Sequence, residues 1–223
     1  EKVTQGNRVQ AIVLTPTREL AIQVAGELMR IAKYKKIRTL PIYGGQSIGH
    51  QIRALRQGVQ VVVGTPGRVL DHLRRKTLRL ENVHTLVLDE ADEMLDMGFV
   101  DDIETIINHL PEERQTLLFS ATMPPEIKRL ASRYMKQPET IAVSREEVTA
   151  PLIEQVYYKV FDRNKVESLC RILDSEDVEL GIIFCRTKRG VDELTEVLQT
   201  RGYLADGLHG DLSQAGQSNE CVP

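Results

Sequence analysis

Leu86-Val87-Leu88-Asp89-Glu90-Ala91-Asp92 decides how the rest of the chain is read. Three apolar residues run straight into three carboxylates within four positions. The apolar run predicts a buried strand of a parallel sheet, with the acids at its carboxyl end. Open α/β sheets bind ligands in the crevice at those ends. Carboxylates crowded there repel one another and favour a positive partner, such as a hydrated Mg²⁺ carried by a nucleotide. A solvated acidic loop is the other reading of the same four letters, and the surrounding chain must separate the two.

Working outward, short apolar strands are predicted at Val9–Leu14, Ile37–Tyr43, Val59–Val63, Thr85–Leu88 and Thr116–Phe119. Helical segments lie between them. One carries Leu20, Val24, Leu28 and Ile31 on a single face, others cover Ser47–Gln57 and Val100–His109, and Pro124-Pro125 open a last one ending near Tyr134. Unbroken alternation predicts an α/β fold: a doubly wound parallel sheet with helices on both faces. Thr140–Val143 is a candidate last strand. The predicted organisation is a first domain over 1–143, a polar linker over 144–151 and a second, partial domain of the same type over 152–223. In the second, strands are predicted at Ile153–Phe161, Leu180–Cys185 and Tyr203–Leu208, with amphipathic helices between them. Residues 215–223 have no pattern.

The first domain contains an echo. Thr15-Pro16-Thr17-Arg18 and Thr65-Pro66-Gly67-Arg68 each follow an apolar strand. Thr is a good N-cap and Pro suits the first helical position. Arg then falls in the first turn, where a cation opposes the helix dipole. A phosphate beside the free N–H groups would satisfy both. Gly44-Gly45, at another strand end, lets backbone N–H groups approach a ligand. Thr-Pro is also a common helix start, but two copies with the same Arg favour a row of phosphate sites. Ser120 and Thr122 place hydroxyls after the strand that follows the acids, within potential reach of Asp92.

Composition narrows the classes. The 223 residues carry a net charge of −3, so any polyanion surface is local. Aromatic residues make up 4% and Trp is absent, which argues against gripping bases by stacking and for gripping the sugar-phosphate backbone. The three cysteines, Cys170, Cys185 and Cys221, form no metal-ligand spacing and suit a reducing cytoplasm. No apolar run reaches membrane-spanning length. His50, His72, His84 and His109 fall in no chemical arrangement and are read as structural or surface residues. The basic runs at 30–38 and 74–79 are read as solvated helix ends.

Together these segments resemble the DEAD-box ATP-dependent RNA helicases. Pro16-Thr17-Arg18-Glu19-Leu20, Gly44-Gly45, Thr65-Pro66-Gly67-Arg68, Asp89-Glu90-Ala91-Asp92 and Ser120-Ala121-Thr122 stand in that family's order. Ile183-Phe184-Cys185-Arg186-Thr187-Lys188 and His209-Gly210-Asp211 resemble the first motifs of its second domain. The resemblance implies RecA-like domains closing over ATP and single-stranded or duplex RNA. It implies that Asp89 holds Mg²⁺, Glu90 orients the attacking water, and Asp92 joins Ser120 and Thr122 in coupling nucleotide to RNA. Pro16, Thr17, Arg18, Gly44, Gly45, Thr65, Pro66, Gly67 and Arg68 are implied to line the RNA backbone, with Arg186, Thr187, Gly210 and Asp211 added from the second domain.

There are departures from the family pattern. No Gly-x-x-x-x-Gly-Lys-Thr occurs, and the family's phosphate loop would precede Glu1. The arginines that stabilise the transferring phosphoryl group are absent, and Gln217 stands where the family usually carries Arg. These 223 residues alone are therefore expected to have negligible ATPase activity. The alternatives are a non-catalytic RNA-binding module and a fragment without independent function.

Overall fold

The computed structural model describes residues 3–4, 6–142, 154–176 and 178–210. The chain divides into two units, 1–143 and 144–223. The first unit is built on five parallel strands: β1 (Ala11–Leu14), β2 (Thr39–Ile42), β3 (Val61–Gly64), β4 (Thr85–Leu88) and β5 (Gln115–Leu118). Their order across the sheet is β2-β3-β1-β4-β5. β1 is central, with Leu14 opposite Gly64 on one side and Leu88 on the other. All strands run the same way, so all carboxyl ends share one rim.

The side-chain period of two divides the core between the sheet faces. Ile12, Leu14, Ile42, Val62, Leu86 and Leu88 pack on one face. That face is covered from α2 (Ile48–Arg56), α3 (Pro66–Arg74), the short α4 (Ala91–Asp96), α5 (Val100–Ile107) and α6 (Pro125–Tyr134). Ala11, Val13, Val61 and Val63 face the other way, under α1 (Arg18–Ile31). The contacting face of α1 differs from the one predicted. Ala21 and Ala25 are fully buried, with Val24 and Leu28 beside them, whereas Ile31 is 73% exposed. Alanines allow the helix axis close to the sheet, and the terminal Ile overhangs it. Residues 140–142 form no strand, so the predicted last strand is absent from the described part of 140–143.

The second unit departs further from prediction. Among the described residues it contains a 3₁₀ turn (Asp162–Asn164), α7 (Lys165–Ser175) and α8 (Lys188–Thr200). Tyr203 Oη ties the end of α8 to α7, donating to Asp174 Oδ1 at 2.5 Å. The predicted strands at 153–161, 180–185 and 203–208 form no ladder among the described residues. Leu180 and Phe184 are 90% and 92% exposed. A buried parallel strand needs hydrogen-bonded neighbours, and apolar sequence alone supplies none. The predicted linker and residues 211–223 lie outside the described residues. No helix among those described is long and apolar enough to cross a membrane.

Gly64 ends β3 in a confined place. A Cβ there would lie 2.8 Å from Ile42 O and from Val69 Cγ2. Gly64→Ala is expected to destabilise the first unit by about 1–3 kcal/mol, the usual cost of overpacking. Urea unfolding checks this, and an unchanged midpoint would contradict it.

Candidate functional site

Past their ladders four of the five strands make one more bond to a neighbour. Thr15 N–H donates to Gly64 O at 3.0 Å, Thr65 N–H to Ile42 O at 3.0 Å, Asp89 N–H to Leu14 O at 3.0 Å and Phe119 N–H to Leu88 O at 2.8 Å. These bonds align the loops after β1, β3, β4 and β5 on one rim, and Gln51 and Arg68 hold the loop after β2 there through Tyr43 O and Gln46 O. Every candidate residue of the first unit sits there.

The two Thr-Pro-x-Arg copies are not structurally equivalent. In the second copy Thr65 is the N-cap and Pro66 is the first helical residue, as predicted. In the first copy the helix opens two residues later. Thr15 and Pro16 are buried, Thr17 is the N-cap, and its Oγ1 accepts from Leu20 N–H at 3.3 Å. Arg18 is thus the first residue of α1, while Arg68 is the third of α3.

Both arginines nonetheless reach the loop after β2. Gly45 has φ +77°, and a Cβ on it would lie 3.1 Å from Arg18 Nη1. A side chain at this position would carry the strain of positive φ and push the guanidinium back by a few tenths of an ångström. Gly44 and Gly67 are exposed, and a Cβ on either would meet nothing within 4 Å. On the other side, Arg68 Nη1 donates to Gln46 O at 3.0 Å and to Gln51 Oε1 at 3.2 Å, and its side chain is only 14% exposed. Two cations from two helices thus flank one exposed loop.

The acids lie further along the rim. Asp89 is half-buried. Glu90, the cap of α4, is exposed and left-handed, at φ 52° and ψ 54°. A left-handed non-glycine backbone is strained and marks a position where orientation matters. Ala91 N–H donates to Phe119 O at 3.0 Å and Asp92 N–H to Ser120 Oγ at 3.1 Å. Thr122 donates twice to Asp92 Oδ2, from Oγ1 at 2.7 Å and from N at 2.8 Å. Burial pushes the Asp92 carboxyl up, but the Thr122 and Ser120 hydroxyls and the Thr122 N–H outweigh it and bring the pKa down to about 2. The carboxylate is therefore a fixed tie between the β4 and β5 loops and is charged at neutral pH.

Among the described residues no group of three or more His, Cys, Asp and Glu is placed to hold a metal ion. A single half-buried carboxylate at Asp89 is the donor set that suits Mg²⁺, which keeps most of its waters and rides on substrate phosphates. In the second unit, Thr187 caps α8 by accepting from Gly190 N–H at 3.0 Å, Arg186 and Gly210 are exposed, and Asp211 lies outside the described residues.

Residues 1–130 match the family described as DEAD/DEAH box helicase. The chain belongs to the DEAD/DEAH box helicase family. It is 60% identical over 216 residues to a DEAD-box ATP-dependent RNA helicase CshA of Geobacillus kaustophilus, covering 96% of this chain and 46% of that protein. The CshA of Bacillus subtilis is 57% identical, with 96% and 44% covered. The chain thus spans less than half the length of these curated relatives. The crystal structure of a DEAD box protein from Methanococcus jannaschii superposes with a TM-score of 0.61 at 46% identity, over 98% of this chain and 58% of that one. Its fold class is the α/β, RecA-like one of that family.

Beside the DEAD-box motifs stands a polar group that sequence reasoning passed over. Gln51 and His72 are 2% and 0% exposed; Gln51 bonds the loop that Arg68 holds, and His72 bonds Gln51. The available signal was a polar residue inside an apolar stripe: Gln51 lies between Ile48 and Leu55, His72 among Val69, Leu70 and Leu73. That the two meet follows from β2 and β3 being neighbours, which the local pattern does not encode.

Two outcomes follow from the acidic loop. Glu90→Gly relieves the left-handed strain and is expected to stabilise the first unit by about 1 kcal/mol, read as a higher denaturation midpoint. Asp92 has a folded pKa below its ordinary 3.8, so its ties stabilise the fold above that pH and are lost as pH falls through about 2. Thr122→Val is therefore expected to be less stable than the native chain at pH 6, with the difference closing between pH ~4 and ~2 in acid titrations followed by circular dichroism.

Proposed function

We propose that this chain is part of an ATP-dependent RNA helicase, which couples nucleotide hydrolysis to local separation of RNA strands through sequence-independent backbone contacts. The observation that carries the reading is the shared rim. Arg18 and Arg68 converge on the loop after β2, and the acids follow on the same edge of the same sheet.

In this reading Pro16–Arg18, Gly44-Gly45 and Thr65–Arg68 line successive phosphates of one strand, with helix N-termini and guanidinium groups as the anion donors. Thr17 caps α1 through its side chain, and Thr65 occupies the N-cap position of α3 without a side-chain bond, leaving the N–H groups after Pro66 at the rim. A magnesium ion on the nucleotide's phosphates supplies charge neutralisation during phosphoryl transfer. Asp89 is the residue that would hold it. Glu90, exposed and turned by its left-handed backbone, orients the attacking water. Asp92 transmits the state of the acidic loop to the β5 loop through Ser120 and Thr122. Arg186, Thr187, Gly210 and Asp211 add contacts to RNA from the second unit.

Hydrolysis also needs backbone N–H groups and a Lys around the phosphates, and no phosphate-loop motif occurs in these 223 residues. The chain by itself is thus proposed to bind RNA without turning over ATP, as a non-catalytic module would. The test is a salt titration of single-stranded RNA binding. The expected result is affinity that falls with a log–log slope of about −0.7 per neutralised phosphate, with Arg18→Ala reducing that slope by about one contact's worth. Unchanged affinity in both Arg18→Ala and Arg68→Ala would contradict the phosphate row. RNA-stimulated ATP turnover by these 223 residues, abolished in Glu90→Gln, would contradict the proposed inactivity.

A further inference from the structure

Arg68 does not project freely from the rim. Its Nη1 is shared between the carbonyl of Gln46 and Oε1 of Gln51, and its Nε lies 3.7 Å from Asp71 Oδ2. Behind it stands a closed set of polar groups. Gln51 Nε2 donates to Tyr43 O and to Gln46 Oε1, each at 3.1 Å. Those two acceptors fix the amide's orientation, so its oxygen faces Arg68 and His72. His72 Nε2 is 3.0 Å from that oxygen and must carry the ring proton. Nδ1 is then the acceptor, 2.8 Å from the Thr77 hydroxyl. The His72 carbonyl is occupied by Thr77 N–H at 3.0 Å. The Thr77 hydroxyl also lies 3.2 Å from the His72 carbonyl, and of the two neutral tautomers only the one protonated at Nε2 matches the Gln51 oxygen.

Resting on the proposed RNA-binding reading, we infer that Gln51 and His72 are positioning residues: they hold Arg68 on the Gln46 carbonyl and so set the Gly44–Gln46 loop in the shape that grips an RNA phosphate. The chain of contacts runs from Thr77 through His72 and Gln51 to Arg68 and the loop. Gln51 bonds the loop at its start, through Tyr43 O, and Arg68 bonds it at its end, through Gln46 O. Between these two anchors lies Gly45, against which Arg18 rests. A loop pinned at both ends presents its N–H groups without first having to be ordered, which removes an entropic cost from binding. Burial above all, then the charge of Arg68, holds the His72 ring below its ordinary pKa; Asp71 opposes the shift and Arg75 adds to it. The ring therefore remains neutral and a single-proton donor at neutral pH.

The test uses the 223-residue chain and two readouts. The first needs no RNA: the guanidinium proton resonances of Arg68 and the imidazole ¹⁵N shifts of His72. The native protein is expected to show a protonated Nε2 and slowly exchanging Arg68 protons. In His72→Phe the Arg68 protons are expected to exchange with water, and in His72→Gln, whose amide N–H takes the place of Nε2, slow exchange is expected to return. The second readout is affinity for a single-stranded RNA. His72→Phe is expected to lose about threefold to tenfold, and to lose nothing further in an Arg68→Ala background. Arg68 resonances unchanged by His72→Phe, or losses that add in the double variant, would overturn the inference. If His72→Phe does not fold, Gln51→Met removes the same acceptor and carries both readouts. A native chain that binds no RNA defeats the proposed function, while the Arg68 resonances still decide whether Gln51 and His72 position it.

Discussion

Four backbone hydrogen bonds beyond the strand ends hold the working rim together. Thr15 to Gly64, Thr65 to Ile42, Asp89 to Leu14 and Phe119 to Leu88 each extend the parallel ladder by one residue into a loop. Without them the loops would leave the sheet independently, and residues far apart in sequence would have no fixed relation. With them, Arg18, Arg68 and Asp89 are placed by the rigid part of the molecule, and Arg68 in turn bonds the loop that carries Gly45. The buried strands Ala11–Leu14 and Val61–Gly64 are what make those bonds permanent, because their ladders are shielded from water on both faces.

The rim divides into two chemistries. On the β1–β2–β3 side the donors are cations and backbone N–H groups, and the balance of the loop after β2 suits an anion. On the β4–β5 side the groups are carboxylates and hydroxyls, and their internal tie is Asp92 to Thr122 and Ser120. In the proposed function, opposite signs at neighbouring strand ends would let one sheet serve a polyanion and a metal-carrying nucleotide at once. The strain at Glu90 falls on the acidic side, next to the residue whose backbone joins the β5 loop.

Much of this was legible in sequence because it depends on local pattern. The strand at Thr85–Leu88 ends where the run of apolar residues ends, and the first unit's strand-end motifs lie on the rim, whereas those of the second unit follow no strand among the described residues. The unread parts depend on distant neighbours. The helix after β1 begins at Arg18 and not at Pro16, since Thr15 and Pro16 are drawn into the core beside β3. α1 packs through Ala21 and Ala25, small residues that a search for large apolar side chains overlooks. In the second unit the apolar stretches around Ile182 and Phe184 carry strand-like sequence but no strand pairing, because pairing is a property of two segments together. Gln51 and His72 are 21 positions apart, and only the β2–β3 pairing brings their helices into contact.

The central claim is that several strand-end loops act as one surface for a polyanionic strand. Amide chemical-shift mapping of this chain during a titration with single-stranded RNA tests it directly. The account predicts that residues 17–18, 44–46 and 67–68 shift together along one binding curve, while Asn7, Arg8 and His84 at the opposite end of the sheet stay still. Shifts confined to that opposite end, or separate curves for the three loops, would contradict it.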